Sequence, residues 1–206
     1  MTTPPFATLR RLAGQRPQQE QCDLCSAPLR EQHRHLVEPS TRQLVCACDP
    51  CSILFSGQSD TRYRLVPSRV RYLEGFVLPD EVWDRLLIPV NMAFFFRSTA
   101  TGRVAALYPS PAGATESQLE LDPWLDLEAA NPILRELEPD VEALLVNRVG
   151  NVRDHFIAPI DRCYQLVGLI RAGWKGLSGG SEVWTAIDGF FSELRARATT
   201  VQPPAG

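Results

Sequence analysis

The order of apolar and polar residues along the chain predicts several strands. Ile88–Arg97 is a nearly continuous apolar run, and the Thr99–Gly102 turn joins it to a second run at Arg103–Tyr108. Two apolar runs around a short turn that contains glycine predict a β-hairpin. Phe156–Ile160 predicts a further strand. Val141–Val149 fits either a buried strand or the end of a helix.

Other segments carry helix-start signals or apolar residues three or four positions apart. Asp80 and Asp161 are predicted to cap the free amides at the start of two helices. Proline favours the first helical position, which indicates further helices at Asp122-Pro123 and after Pro132. A last amphipathic helix is predicted to begin at Ser181.

Together these elements predict an α+β fold. It has a small N-terminal zinc-ribbon-like module, followed by a mixed α+β body with a β-hairpin and C-terminal helices. The module is predicted to contain two short strands around a turn, at residues 35–37 and 43–45. We expect four parts in chain order: a flexible arm (1–20), a Cys-rich metal-binding module (21–62), the body (63–198) and a disordered tail (199–206).

The cysteines point to a metal site. Cys22 and Cys25 form one C-x₂-C pair, and Cys48 and Cys51 form a second. Two such turns supply the four thiolates of a tetrahedral Zn²⁺ site. Cys46 is a spare thiol, and counting from it brings the interval between the pairs inside the usual zinc range. We therefore predict Cys22, Cys25, Cys48 and Cys51 as ligands, with Cys46 as the substitute for Cys48.

Iron is the alternative to zinc, because rubredoxin-type sites also use two cysteine pairs. Such sites usually have glycine after the second thiolate of each pair, whereas Ser26 and Ser52 stand there in this chain, which favours zinc. His33 and His35 lie too far from the cysteines for a Rieske centre. The histidines can replace one thiolate in a Cys₃His site or lie on one face of a strand. We favour a Cys₄ site with neither histidine bound to the metal.

Charge and hydropathy limit the partners and the compartment. No apolar run approaches the roughly 18–20 residues that cross a bilayer, and no signal peptide is evident, so we expect a cytoplasmic protein without a membrane span. Residues 1–72 carry ten Arg against six acidic residues, whereas residues 73–206 are acidic. This asymmetry favours contact between the two parts or an acidic partner for the first part. The net charge of −3 does not favour nucleic-acid binding by the whole chain.

The remaining candidates for chemistry have simpler explanations. Gly176–Gly180 matches the G-x-S-x-G pattern of hydrolases, but a helix is predicted before it and no histidine follows it. His155 suits a surface histidine, and Cys163 suits a small core residue. Pro109–Ser117 is too rich in Pro, Gly and small residues for helix or strand. Within it, the Ser110–Ser117 loop is the best candidate for a binding surface in the body, and a plain surface connection is the alternative. Three carboxylates flank this loop and suit a solvated segment: Glu116, Glu120 and Asp122. These patterns do not favour an enzyme.

A resemblance to a known family adds a functional context. It is carried by CDLC, EQHRHL, LVCACDPCSILF, YRLVPSRV, AFFFRS, YPSPAGATES, LEPDVEALLVNR, PIDRCYQLVGLIR and WKGLSGG. From Gln21 to Arg197 the chain resembles an uncharacterised, mainly actinobacterial family encoded near nickel–iron hydrogenase genes. Nickel-insertion chaperones of hydrogenases bind nickel through an N-terminal Met-His-Glu. Those chaperones also hold a zinc site made by two cysteine turns, which is what this chain has in common with them. Because this chain begins Met-Thr-Thr, the likeness does not extend to nickel delivery.

Three functions follow from these observations. The first is a non-catalytic metal-binding accessory protein that supports the assembly or maturation of a nickel–iron hydrogenase, with hydrogenase subunits or maturation factors as its protein partners. The second is a rubredoxin-like iron redox protein that serves such an enzyme. The third is a zinc-dependent nucleic-acid-binding regulator that uses the arginines of residues 1–72.

Overall fold

The computed structural model describes residues 20–56, 62–117, 121–176 and 179–202. Within these ranges the chain forms five α-helices, one 3₁₀ helix and ten strands in two sheets. This architecture confirms the predicted α+β class. The predicted N-terminal arm lies, up to residue 19, outside the described residues.

A small antiparallel sheet contains three strands: β1 (Arg34–Glu38), β2 (Gln43–Ala47) and β3 (Arg64–Leu65). Their order is β2–β1–β3. The turn between β1 and β2 closes where the Arg42 amide donates to the Glu38 carbonyl at 2.8 Å. Helix α1 (Asp49–Ser56) follows β2. The two strands and the turn predicted for this segment are confirmed.

A larger sheet contains seven strands: β4 (Arg71–Leu73), β5 (Met92–Ser98), β6 (Arg103–Ser110), β7 (Gly113–Ser117), β8 (Glu142–Asn147), β9 (Asp154–Pro159) and β10 (Thr199–Val201). Their order is β10–β4–β9–β8–β5–β6–β7, and all neighbours are antiparallel except β10 and β4. The predicted hairpin corresponds to β5 and β6. The ambiguous segment contains β8, in which every residue is buried.

Helices cover both faces of the large sheet: α2 (Asp80–Arg85), α3 (Leu121–Ala130), the 3₁₀ helix (Pro132–Glu136), α4 (Ile160–Gly173) and α5 (Ser181–Arg197). Successive strand residues face opposite sides. The Phe94 ring therefore lies 5.7 Å from Tyr164 of α4, whereas the Phe95 ring lies 5.8 Å from Trp124 of α3. Across the described ranges, no helix is long and apolar enough to cross a membrane.

The small sheet packs into the core of the large one. Val37 of β1 and Val66 after β3 belong to the same buried cluster as Phe94. Arg64 of β3 donates to Asp140, a carboxylate that is 3% exposed, at 3.2 Å. The boundary between residues 62 and 63 stays a prediction, and β3, just beyond it, pairs with β1 of the small sheet.

Two segments predicted without regular structure form strands. Pro109–Ser117 was expected to be neither helix nor strand, but β6 extends to Ser110 and β7 pairs with it. Thr199–Val201, in the predicted disordered tail, forms β10. Both predictions are wrong because backbone pairing to an available strand edge outweighs weak local preference. Residues 203–206 of the tail lie outside the described residues.

The helix starts also differ in detail from the predictions. Pro79 and Pro159 occupy the N-cap positions of α2 and α4, and neither Asp80 nor Asp161 caps its helix. Asp80 pairs instead with Arg148. The segment after Pro132 is a 3₁₀ helix rather than an α-helix.

Candidate metal centre

The first cysteine pair lies on a tight turn before β1. The Cys22 amide donates to the Ala27 carbonyl, and the Ser26 amide donates to the Cys22 carbonyl, both at 2.8 Å. Ser26 takes a φ of 61°, a left-handed conformation that residues other than glycine rarely adopt. Serine therefore provides here the backbone shape that glycine usually provides, so this serine is compatible with iron as well as zinc.

The second pair lies where β2 leads into α1. Cys51 lies in the first turn of α1, where the Ser52 amide donates to the Cys48 carbonyl at 2.8 Å. Asp23 connects the two pairs through hydrogen bonds to Cys46. Its carboxylate accepts a hydrogen bond from the Cys46 amide at 2.6 Å, and its own amide donates to the Cys46 carbonyl at 2.9 Å. These bonds hold the first turn beside the end of β2.

The sulfur atoms of Cys22, Cys25, Cys48 and Cys51 all lie within 4.8 Å of one another. The Cys25 and Cys48 sulfurs are 3.6 Å apart. A tetrahedron of thiolates at a Zn–S distance of about 2.3 Å has S–S edges of about 3.8 Å. The four cysteines therefore fit the geometry of one tetrahedral metal ion.

The electrostatics of this cluster favour a bound cation. Burial and the neighbouring thiols raise the pKa of Cys51. Burial also opposes ionisation of Cys22, but hydrogen bonds from the Cys48, Leu24 and Cys25 backbone outweigh it and lower the pKa of Cys22 to about 6. Four thiolates this close repel one another, so a positive ion is needed before all of them ionise.

Cys46 and the two histidines lie apart from this cluster. One ligand atom each from His33, His35 and Cys46 lies within 4.8 Å of the other two, in a separate group. The structure therefore places neither histidine nor Cys46 in the four-cysteine cluster.

His155 differs from the surface position expected for it, because it is 5% exposed. Its ring stacks on Phe76 with centroids 4.6 Å apart. Burial, with smaller contributions from Arg148 and Arg153, lowers its pKa to about 4. The prediction for Cys163 is confirmed, since its side chain is fully buried in the core.

The other candidates do not form a site among the described residues. Gly176–Gly180 follows α4, as predicted, and its residues 177–178 lie outside the described residues. Glu116 pairs with Arg42 at 2.8 Å. Glu120 and the side chain of Asp122 also lie outside what the structure describes.

Sequence reasoning missed two residues beside the candidate metal-binding groups. Asp161 accepts from His35 across 126 positions, and Asp23 accepts from Cys46 across 23. Neither has a motif, because each contact depends on how distant elements pack. The alternation of His33 and His35 was the available signal, since it placed both rings on one face.

Comparison with known proteins matches this chain to a protein family. A family model described as "Family of unknown function (DUF5947)" matches residues 21–198. The matched segment begins one residue before the first cysteine pair and ends before β10. Neither curated proteins nor solved structures gave a match.

Proposed function

The chain belongs to this family of unknown function, and we propose that it is a non-catalytic accessory protein whose cysteines Cys22, Cys25, Cys48 and Cys51 bind one Zn²⁺. The observation that carries the proposal is the convergence of four sulfurs on one point. Four protein thiolates leave no open position on a tetrahedral ion, which is typical of a structural zinc site. A cytoplasmic location, where thiols stay reduced, suits such a site.

The core beside the cysteines is too small to hold this part of the chain together by itself. Its buried members are two cysteines, one alanine and three aliphatic side chains: Cys22, Cys51, Ala47, Leu29, Leu36 and Val45. Structural zinc contributes on the order of 10 kcal/mol or more in comparable peptides. The metal therefore stabilises the turn that contains Cys22 and the start of α1.

Helix α1 offers a surface for a protein partner. Ile53 is 76% exposed, Leu54 is 68% exposed and Phe55 is 39% exposed. Adjacent exposed apolar side chains are typical of interaction surfaces. The resemblance to proteins encoded near nickel–iron hydrogenase genes points to hydrogenase subunits or maturation factors as the partner, and the hydrogenase rests on that resemblance alone.

Metal analysis tests the zinc site. The full chain, purified without a His-tag, should contain zinc and be colourless, because Zn²⁺ is d¹⁰. The Cys25→Ser and Cys51→Ser proteins should each contain at least one equivalent of zinc less than the wild type. A Cys25→Ser protein that keeps the wild-type zinc content would show that the ligands are wrongly assigned.

Iron is the second candidate at the same cysteines, which would make the protein a rubredoxin-like electron carrier. The exposed position of Cys25 favours it, since an electron-transfer site benefits from a ligand at the surface. Visible absorption of the purified protein, together with one iron per chain, would establish iron as the metal at these cysteines and would exclude zinc.

Deletion of the gene tests the accessory role. We expect the deletion strain to lose hydrogenase activity or subunit assembly, and unchanged activity and assembly would remove the hydrogenase from the proposal. A chain carrying Ile53→Glu and Leu54→Glu should keep its zinc but no longer rescue that strain. Leu125→Glu is the matched control, because Leu125 is an exposed apolar residue (50%) on α3.

A further inference from the structure

One face of the small sheet carries three side chains that can bind a metal. His33 immediately precedes β1 and His35 is the second residue of that strand, and their ring centroids are 4.7 Å apart. His35 lies directly opposite Cys46 in the β1–β2 register. Side chains opposite each other on antiparallel strands share a face. The sheet register therefore brings two imidazoles and one thiol together.

Nε2 is the ring nitrogen of His33 that is free to bind a metal. Its Nδ1 lies 3.0 Å from the Arg30 carbonyl, which can only accept, so the proton is on Nδ1. Nε2 is buried and has no hydrogen-bond partner among the described residues, in a side chain that is 8% exposed. An unpaired buried polar atom destabilises the folded state. A metal ion at Nε2 provides the partner that this atom lacks.

Asp161 orients His35 in the same way. Its carboxylate accepts from Nδ1 of His35 at 2.8 Å, which leaves Nε2 of the neutral ring with a free lone pair. A carboxylate or carbonyl behind the ring is the usual support of a metal-bound histidine. Here His33 has the carbonyl and His35 has the carboxylate.

The three side chains line an open cleft of about 720 Å³ between the small sheet and helices α4 and α5. Asp161 and Arg162 of α4 and Glu193 of α5 form part of its wall. Three protein donors leave one position of a tetrahedral ion without a protein ligand. That position can take water or a small molecule that enters the cleft.

We propose that His33, His35 and Cys46 form a second metal site, separate from the four-cysteine site, for a late first-row transition-metal ion. Two imidazoles and one thiolate suit Zn²⁺, Co²⁺, Ni²⁺ or copper, whereas Mg²⁺ and Ca²⁺ require oxygen ligands. Binding displaces the thiol proton of Cys46 into solvent. Because Cys46 is in β2 and Cys48 directly follows the last residue of that strand, the two sites lie at the same end of β2.

Cobalt substitution tests this site. The metal-free full chain should bind two equivalents of Co²⁺, whereas Cys46→Ser and His35→Ala should each bind one and keep the absorption of the four-cysteine site. Because the region around the four cysteines is expected to unfold without its metal, Cys25→Ser should lose both equivalents. Failure of this proposal alone would leave a wild type that binds one equivalent with the absorption of a four-thiolate site, so it is distinguishable from failure of the zinc proposal. The His35 side chain is 30% exposed, so we expect its replacement to leave the fold intact, and circular dichroism checks this.

Arg34→Ala is the matched control, because Arg34 is exposed between the two histidines and should leave both equivalents bound. Azide should shift the cobalt absorption of the wild type but not that of Cys46→Ser, since an anion needs the open position. The proposal would be overturned by a wild type that binds one equivalent, or by Cys46→Ser and His35→Ala proteins that both bind two.

Discussion

Nδ1 of His35 lies 2.8 Å from Oδ2 of Asp161, although 126 positions separate the two residues. His35 is in β1 of the small sheet, and Asp161 is in the first turn of α4. The contact therefore connects the cysteine-containing part of the chain to a helix that packs on the large sheet. It also fixes the orientation of an imidazole in the cleft.

Replacing Asp161 tests the importance of this orientation. Asp161→Asn keeps an oxygen that can accept a hydrogen bond from Nδ1. It removes the negative charge that makes the imidazole a stronger metal ligand. We expect its second equivalent of Co²⁺ to bind about 10–100-fold more weakly, as for other residues that support metal ligands. Glu193→Gln, another carboxylate of the cleft, should bind both equivalents as the wild type does. Equal affinity in Asp161→Asn and wild type would contradict a supporting role.

Loss of the metal at the four cysteines should unfold the region around them. After chelation or in Cys25→Ser, limited proteolysis is expected to cut within residues 20–56 and leave a resistant C-terminal fragment. Cys163→Ala is the control, because this thiol lies in the core of the large sheet and its removal should leave the metal content unchanged. Loss of the resistant fragment would instead show that Val37 and Val66 make the whole chain one folding unit.

His155 should make the protein less stable in acid. Its folded-state pKa is lowered to about 4, first by burial and then by Arg148 and Arg153. The unfolded chain takes up this proton below about pH 6.5, so stability is complete above that pH and falls as the pH approaches 4. Proton linkage therefore predicts that the free energy of unfolding falls by about 2 kcal/mol between pH 7 and pH 5.

Urea unfolding of the wild type and of His155→Phe at these two pH values measures this contribution. Phenylalanine can stack on Phe76 but cannot ionise, so the variant should lose about 2 kcal/mol less than the wild type over the same interval. An identical pH dependence in the two proteins would show that His155 is not the group responsible.

Glu142 is a fully buried carboxylate that anchors two arginines. It accepts from Arg69 at 2.8 Å and from Arg71 at 3.2 Å, and it also accepts from the Glu138 amide at 3.1 Å. Glu142→Gln should lower the free energy of unfolding by about 2–4 kcal/mol, since it weakens charged hydrogen bonds that water cannot replace.

Glu136→Gln is the control for this prediction, measured by the same urea unfolding. Glu136 also pairs with Arg71, but its side chain is 62% exposed, so its loss should cost less than about 1 kcal/mol. Equal effects of the two substitutions would mean that burial of the carboxylate contributes nothing.

The parts of the fold that the sequence predicted have strong local patterns. Ile88–Arg97 and Arg103–Tyr108 are apolar runs long enough to specify a hairpin by themselves. β7 and β10 have no such pattern, because Gly113–Ser117 and Thr199–Val201 are short and polar. They form strands only because β6 and β4 offer unpaired edges to them.

In the candidate site, too, some features have a local sequence pattern and others depend on how distant segments pack. Spacing alone predicted that two C-x₂-C turns would bring four sulfurs together, since each turn is a local structure. The group of His33, His35 and Cys46 depends on the register of β1 with β2, and the position of Asp161 depends on the packing of α4. A shift of one residue in that register would point Cys46 away from the histidines.

The strand order of the large sheet has a consequence for how the chain folds. Strands β5, β6 and β7 are consecutive neighbours and close short loops, whereas the first partner of Tyr72 in β4 is Phe156, 84 positions later. Long loops lose more entropy on closure, so we expect the β5–β6–β7 meander to form early and β4 to join late. Pulse-labelling hydrogen exchange would then find the amides of β6 protected before that of Tyr72. Until β9 arrives, β4 is an unpaired edge on which newly made chains can aggregate.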